Sequence, residues 1–270
     1  METKLWREML TPYYVAVDEL IMKFRNIAKR CQDTGVYSPI ESVEGRVKKI
    51  SSILEKLQKK GFELEDIEDK INDIAGVRII CQFVEDIESV VDIIRKRDDM
   101  KVLEERDYVA HCKESGYRSY HIIIEYEVYM IDEPRKVKAE IQIRTLAMDF
   151  WSTIENSLQY KYRGQMPEHI SQRLLSAADA IRQLDKEMSS VRGEIMDAQN
   201  YMHQTDVMIA EILTNIQNLY GVANKREINK IQDEFYRLYE NKDYERLERF
   251  CDELDMIAEG YRAQSMQEDF

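Results

Sequence analysis

Hydrophobic residues recur at helical spacing in the first and last parts of the chain. Between residues 4 and 30 the apolar side chains are three or four positions apart, which predicts an N-terminal helical arm. The same spacing in "ISSILEKLQKKGF" predicts an amphipathic helix that ends at Gly61, because glycine readily adopts the left-handed C-cap conformation. Further helices are predicted at "DIESVVDIIRKR", at about 145–162, 167–200 and 205–221, and as a charged pair over 226–261.

Strand-like patterns occupy the middle of the chain. "INDIAGVRIICQF" is almost wholly apolar after Asp73, which is typical of a central strand. Over residues 137–144, apolar and polar residues alternate, which predicts a half-buried strand with an entirely polar second face. Shorter extended segments are predicted near residue 45, in "KVLEERDYVA" and from Tyr120 onward. The pattern therefore predicts a small core of mixed helices and strands at about 38–144, followed by a long helical part.

Composition narrows the class of protein. The 270 residues are 44% hydrophobic and 34% charged, which is typical of soluble globular proteins, and no apolar run approaches the ~20 residues of a membrane span. The N-terminal sequence lacks the pattern of a signal peptide. The four cysteines lack the spacing of a zinc site or a disulfide framework. We therefore expect a reduced, cytoplasmic protein.

Charge is distributed unevenly along the chain. The net charge of −13 disfavours a general nucleic-acid binder. Residues 22–60 nevertheless contain ten lysines and arginines against four acids, whereas residues 204–270 contain eight against fifteen. A basic segment in an acidic chain suits a small polyanionic ligand better than a long polymer. A solvated helix face has the same composition and is the alternative explanation.

Two carboxylates are candidates for metal binding. Glu140 and Gln142 project to the polar side of the 137–144 strand, and Asp73 stands just before the apolar strand expected in the same sheet. Two carboxylates from neighbouring strands can share Mg²⁺, which prefers oxygen ligands and neutralises charge during phosphoryl transfer. Carboxylate pairs are common, so this hypothesis depends on the cations nearby.

The cations follow a spacing that suits a triphosphate. Arg46 and Lys48 share one side of an extended segment, and Lys48, Ser52 and Lys56 continue at four-residue steps along one helix face. Such a row matches successive phosphates of a nucleoside triphosphate. Arg78 lies inside the central strand, where its guanidinium either stacks on a purine or pairs with Asp73 or another buried acid.

The segment "HCKESGYRSYHIIIEY" leads into a strand but carries polar chemistry. Tyr117 follows Gly116 and offers a ring for stacking on a base, while Lys113 and Arg118 can reach phosphates. His121 lies two residues beyond Ser119, on the same face of the incoming strand. The set suits a second nucleotide. The alternative is that Tyr117 and Tyr120 are ordinary half-buried strand aromatics.

Five motifs resemble the RelA/SpoT-type synthetase domain, in the family's order. They are "GRVKKISSILEK", "DIAGVRIICQF", "ESGYRSYH", "EIQIRTLAMDFW" and "YKY". They are most similar to the stand-alone small alarmone synthetases of the RelQ type, from about residue 6 to residue 199. The resemblance implies a nucleotidyltransferase-like α+β fold, a mixed β-sheet flanked by helices. It also implies transfer of pyrophosphate from ATP to the 3′-OH of GDP or GTP. We accordingly predict a synthetase domain at 1–200 and an acidic helical extension of unknown role at 201–270.

The resemblance also implies roles for individual residues. The carboxylates that would hold Mg²⁺ are Asp73 and Glu140, and Glu140 would also take the 3′-OH proton. Arg46 and Arg78 would sandwich adenine. The full set of residues expected to bind ATP is Arg46, Lys48, Ser52, Lys56, Arg78 and Arg106. The residues expected to bind the guanine nucleotide are Lys113, Tyr117, His121 and Gln142.

Departures from the family pattern modify these expectations. No His-Asp pair occurs among the four histidines, so the family's hydrolase domain is absent and we expect synthesis only. RelQ-type relatives form a homotetramer whose cleft binds (p)ppGpp as an activator, through an aromatic residue and an amide. This chain has Ser42 and Asp149 at those positions, so we expect little activation by pppGpp. Asn156 stands where relatives commonly have histidine.

Two other functions compete with this one. The same fold could transfer a nucleoside monophosphate, but the glycine-serine motif before paired aspartates that such enzymes use is not found. A non-enzymatic regulator could bind nucleotides or single-stranded RNA through the basic segment, which the overall negative charge makes secondary. The sequence does not decide among GMP, GDP and GTP as the acceptor.

Overall fold

The computed structural model describes residues 2–162, 166–221 and 223–268, with the side chains of residues 2–4, 159–162 and 262–268 outside the description. The chain forms two compact units, Met1–Ser190 and Val191–Phe270. No helix among the described residues is long and apolar enough to cross a membrane. The predicted boundary at residue 200 and the role of the extension stay predictions.

The first unit contains a five-stranded sheet. Its strands are β1 Ser42–Val47, β2 Ala75–Cys81, β3 Lys101–Asp107, β4 Tyr120–Tyr129 and β5 Pro134–Thr145. The helices of the described chain are α1 Glu2–Asp33, α2 Ile50–Lys60, α3 Ile67–Lys70, α4 Val84–Arg95, α5 Leu146–Tyr162, α6 Glu168–Leu219, α7 Lys225–Glu240 and α8 Tyr244–Glu268. The predicted end of α2 is confirmed, because Gly61 caps it in the left-handed conformation.

Strand order in the sheet is β1-β2-β5-β4-β3. Strands β2 and β5 pair in parallel, and the other three pairings are antiparallel. Strand β5, which carries Glu140, and strand β2, which begins two residues after Asp73, are therefore direct neighbours in the sheet. The predicted α+β fold with a mixed sheet is confirmed.

One face of the sheet forms the hydrophobic core. On β5 the side chains of Ala139, Ile141 and Ile143 are fully buried on this face. Helix α1 packs against β1, β2, β4 and β5, and its Leu20 and Phe24 are fully buried. The predicted N-terminal helical arm is thus α1, which lies against the sheet. The apolar stripe of α1 and the apolar face of the sheet remove each other from water, which favours burial of both.

The opposite face of the sheet carries the alternate, polar residues. On β5 these are Lys138, Glu140, Gln142 and Arg144. The predicted half-buried strand with an entirely polar second face is confirmed as far as Gln142, whereas Arg144 on the same face is 1% exposed. The loop before β4 and the helices after β5 cover this end of the strand.

The helical second half differs from the prediction at one point. A single helix, α6, spans Glu168–Leu219 where two helices were predicted. No proline or glycine interrupts residues 200–205, so the helical hydrogen bonds continue. The predicted charged pair of helices is confirmed as α7 and α8. In the second unit, the end of α6 packs with α7 and α8 around buried residues that include Ile212, Phe235 and Leu247.

Candidate active site

Strand register aligns polar side chains in a row across the sheet. Glu44 on β1 pairs with Arg78 on β2, which pairs with Gln142 on β5. Gln142 in turn pairs with His121 on β4, and His121 pairs with Arg106 on β3. Directly opposite residues project from the same face of a sheet. Five strands therefore contribute one polar side chain each to a single row.

A second row lies two residues further along the strands and contains Glu140. Arg46 on β1 pairs with Gly76 on β2, and Gly76 pairs with Glu140 on β5. Because Gly76 has no side chain, the space between Arg46 and Glu140 stays open. Asp73 lies two residues before the start of β2, and its residue lines the same cavity as Glu140.

A cavity of about 250 Å³ lies over these two rows. Six of the predicted site residues line it: Arg46, Lys48, Asp73, Arg78, Glu140 and Gln142. The rest of its wall is formed by Glu44, Gly45, Gly76 and Val77. The structure thus brings both predicted carboxylates into one cavity with three of the predicted cations.

Asp73 is bound by two lysines. Lys48 donates to Oδ2 at 2.6 Å. Lys56, which lies on α2, donates to Oδ1 at 2.8 Å. The backbone N–H of Lys48 also bonds to the carbonyl of Ile74 at 2.8 Å, which fixes the end of β1 beside Asp73. Burial tends to raise the pKa of Asp73, but the hydrogen bonds from both lysines outweigh it and hold that pKa below its usual value.

Glu140 is bound on each oxygen by a different strand. His121 Nδ1 lies 3.0 Å from Oε1, and Gln142 donates from Nε2 to Oε2 at 2.7 Å. Burial tends to raise the pKa of Glu140, as does the nearby charge of Asp73. The hydrogen bonds from His121 and Gln142 outweigh both and leave that pKa below its usual value. Both carboxylates are therefore ionised at neutral pH.

Arg144 is a buried residue next to Gln142 and Tyr117, and the sequence analysis did not predict a role for it. It donates to the Tyr117 hydroxyl at 3.0 Å and to Gln142 Oε1 at 2.5 Å. The Tyr117 hydroxyl lies 2.8 Å from His121 Nε2, so all four side chains form one hydrogen-bonded group. The alternation of residues 137–144 placed Arg144 on the polar face. It gave no sign that other elements bury that end of the strand.

Arg78 is engaged by an acid, which was one of the two alternatives for it. Its Nη1 lies 3.1 Å from Asp149 Oδ1, in the first turn of α5. The partner is Asp149 and not Asp73, because α5 begins directly after β5 and brings residue 149 back to the end of the sheet. Asn156, on the same helix, donates to the carbonyl of Ser152 at 2.7 Å.

The loop before β4 forms an aromatic wall. Lys113 Nζ lies 4.6 Å from the ring centroid of Tyr108 and 4.8 Å from that of Tyr117. Gly116 has a φ of +88°, and a Cβ there would lie 2.6 Å from Ala178 Cβ, so only glycine fits. The sequence analysis did not predict that Tyr108 contributes a ring to this wall. The one available sign was its position directly after β3.

Other predicted residues lie outside the cavity. Arg106 pairs with Glu104 on its own strand, at 2.6 Å. Ser52 lies in the first turn of α2 and does not line the cavity.

Two residues of the segment around β4 make structural contacts. Arg118 donates to the carbonyl of Val109 at 2.7 Å. Tyr120 is a buried strand aromatic whose hydroxyl bonds to Glu105. The side chains of the "YKY" motif at 160–162 lie outside the described residues.

Known proteins are similar to this chain in sequence and in fold. A family model described as the region found in RelA / SpoT proteins matches residues 45–165, which include every predicted site residue. The GTP pyrophosphokinase YjbM of Bacillus subtilis (strain 168) is 49% identical over 199 residues, which cover 74% of this chain and 94% of that protein. About a quarter of this chain thus lies outside that alignment.

Two solved structures are similar over the same share of the chain. Small alarmone synthetase 1 from Bacillus subtilis, bound to its product pppGpp, gives a TM-score of 0.69 at 49% identity and covers 71% of this chain and 98% of that one. The same synthetase bound to AMPCPP gives 0.64 at 44% identity, with 72% and 98% covered.

Fold, site and comparisons agree. The mixed sheet presents two ionised carboxylates together with lysine and arginine side chains in one cavity. The chain belongs to the RelA/SpoT family of GTP pyrophosphokinases.

Proposed function

We propose that this chain transfers pyrophosphate from ATP to the 3′-OH of GDP or GTP. GMP is a third acceptor to test. The observation that carries the proposal is the meeting of Asp73 and Glu140 in one cavity with Lys48 and Arg78. The relative bound to pppGpp and its complex with AMPCPP support a guanine nucleotide and an ATP analogue as ligands of such a fold.

The donor set at Asp73 and Glu140 fits Mg²⁺. Among the described residues no group of three or more metal-ligating side chains is present. Two carboxylates are nonetheless what magnesium uses when substrate phosphates and water complete its octahedral shell. Asp73 and Glu140 would hold the ion, which supplies charge neutralisation on the transferred phosphates. The lysines on Asp73 would turn from the carboxylate to those phosphates as ATP binds.

ATP is proposed to lie along β1 and α2. Arg46 and Arg78 provide planar guanidinium groups for the adenine, and Lys48, Ser52 and Lys56 follow the triphosphate. Arg106 and Lys113 assist at the phosphates from the β3 side. Charge neutralisation and in-line placement of two polyanions are expected to supply most of the rate enhancement.

The acceptor nucleotide is proposed to lie against the loop before β4. Tyr117 stacks on guanine, while His121 and Gln142 line the site beside Glu140. The 3′-oxygen attacks the β-phosphorus of ATP and forms the new P–O bond. The bond between the β-phosphorus and the bridging α-phosphate oxygen breaks, and AMP leaves with that oxygen. Glu140 takes the 3′-OH proton.

Three further features belong to the proposal. The chain has no His-Asp pair, so it makes alarmone and does not hydrolyse it. The resemblance to RelQ-type enzymes supports a homotetramer, and the cysteine pattern supports the cytoplasm as its location.

A labelling experiment tests the reaction. The protein is incubated with γ-labelled ATP, GDP and Mg²⁺, and the nucleotides are resolved. Labelled ppGpp with equimolar AMP is expected. Release of labelled pyrophosphate would instead indicate nucleoside-monophosphate transfer, and absence of turnover would favour a binding protein. Titrating GMP, GDP and GTP against fixed ATP identifies the preferred acceptor.

A further inference from the structure

Arg144 is too deeply buried to act on a nucleotide. Its side chain is 2% exposed, and it does not line the cavity. Its guanidinium nevertheless bonds to two residues of the acceptor side, Tyr117 and Gln142. We propose that Arg144 is a positioning residue, which holds these two side chains, and through them Glu140, in the geometry that the transfer requires. The inference rests on the proposed function for its effect on catalysis, but not for the hydrogen bonds themselves.

The first path runs through Gln142. A guanidinium group only donates hydrogen bonds, so the oxygen of the Gln142 amide must face Arg144 at 2.5 Å. The amide nitrogen then points the other way and donates to Glu140 Oε2 at 2.7 Å. Arg144 therefore selects one of the two orientations that the amide could adopt.

The second path runs through Tyr117 and His121. The Tyr117 oxygen accepts from Arg144 at 3.0 Å, which leaves its own proton for His121 Nε2 at 2.8 Å. In a neutral His121 ring this arrangement places the hydrogen on Nδ1, which lies 3.0 Å from Glu140 Oε1. The two paths begin at one guanidinium and end on the two oxygens of one carboxylate.

The environment of Arg144 argues against a purely structural role. Its Nε is buried without a hydrogen-bond partner in the described part of the chain. Its ion-pair partner Asp149, 3.4 Å away, is shared with Arg78. A buried charge that is incompletely bonded destabilises a fold relative to an apolar side chain of similar volume. Stability alone would favour leucine or methionine here, whereas holding the two paths requires the guanidinium.

A double-mutant cycle tests the proposal. Arg144→Met is expected to lower kcat for synthesis from ATP and GDP about 10- to 100-fold, the range typical of groups that orient a metal ligand. In a Tyr117→Phe, Gln142→Met background, where both paths are already cut, the same substitution is expected to change kcat less than about twofold. Equal effects in the two backgrounds would overturn the proposal.

Two variants guard against misfolding. Arg144→Lys keeps the charge but cannot bond both acceptors with a planar fork, so it should fold while kcat stays reduced. A wild-type kcat in this variant would also overturn the proposal. Where Arg144→Met does not fold, Arg144→Lys replaces it in the cycle. Arg237→Met, at an exposed pair with Glu234 on α7, is the matched control and should leave kcat unchanged.

A measurement without substrate separates this proposal from the proposed function. In protein labelled with ¹⁵N-histidine, the ring nitrogens of His121 report the bond from the Tyr117 hydroxyl. We expect Arg144→Met and Tyr117→Phe to move these signals in the same direction, and Arg237→Met to leave them in place. Unchanged signals in Arg144→Met would refute the positioning role even in an active enzyme. Shifted signals in a protein without turnover would retain that role and refute the proposed function.

Discussion

Arg78 Nη1 lies 3.1 Å from Asp149 Oδ1, which links the central strand of the sheet to the first turn of the helix that follows it. The same oxygen lies 3.4 Å from Nη1 of Arg144. One aspartate thus supplies countercharge to an arginine at the cavity and to another in the interior.

Replacing Asp149 with asparagine tests this shared countercharge. Asp149→Asn keeps the shape of the side chain but removes its charge, so Arg144 is left buried without its ion pair. We expect the free energy of unfolding, measured by urea denaturation, to fall by about 1–3 kcal/mol. Asp132→Asn, in the exposed turn between β4 and β5, is the control. Equal stabilities of the two variants would show that the Asp149 pairs contribute little.

Sequence periodicity predicted the elements and the meeting of the two carboxylates, for a physical reason. Asp73 and Glu140 are 67 positions apart in the chain. Glu140 faces away from the core because it alternates with the apolar residues of β5. Asp73 lies just before β2, and the parallel pairing of β2 with β5 brings this end of β2 beside Glu140. The burial of Arg144 and the pair between Arg78 and Asp149 depend on where α5 turns after β5. That angle is set by packing, which no local pattern records.

Glu140→Gln tests the assignment of the base. The amide has the shape of the carboxylate but cannot take the 3′-OH proton, so we expect synthesis to fall at least about 100-fold. The variant should still fold, because the amide keeps the shape of the carboxylate between His121 and Gln142. Glu125→Gln on β4 is the control. A Glu140→Gln enzyme with near-normal turnover would exclude this residue as the base.

Tyr117 is expected to determine the affinity for the guanine nucleotide. Stacking of a base on an aromatic ring contributes about 1–3 kcal/mol, so Tyr117→Ala should raise the KM for GDP by roughly 5- to 150-fold. The KM for ATP should stay nearly constant. Tyr117→Phe keeps the ring, so it should leave the KM for GDP close to wild type. Steady-state kinetics with each substrate varied in turn would show an effect confined to ATP if the two sites are reversed.

The lowered pKa of Asp73 predicts how stability depends on pH. Burial opposes ionisation of this carboxyl group, but the bonds from Lys48 and Lys56 hold its pKa below the usual 3.8. The unfolded chain therefore binds a proton at a pH where the folded protein does not. The stabilisation is present above about pH 4 and is lost as the pH falls through the folded pKa.

Asp73→Asn provides the comparison for this titration. The free energy of unfolding should differ most between wild type and variant near neutral pH, and the difference should narrow as the pH is lowered from about 5 to 3. Urea denaturation at each pH measures it. A difference that widens toward acid pH would contradict the pairing of Asp73 with the two lysines.

The residues at positions 42 and 149 lead us to expect weak activation of the enzyme by pppGpp. The resemblance to RelQ-type enzymes implies an activator site with an aromatic ring and an amide at these two positions. Here Ser42 is an exposed residue at the start of β1, with no ring to stack on guanine. The carboxylate at Asp149 repels a polyphosphate and is engaged by Arg78 and Arg144.

We expect added pppGpp to change the initial rate at subsaturating GDP by less than about twofold, whereas allosteric effectors typically act 5- to 150-fold. The double variant Ser42→Phe, Asp149→Asn restores the ring and the amide and should gain stimulation. Several-fold stimulation of the wild-type enzyme would show that the activator site does not need them.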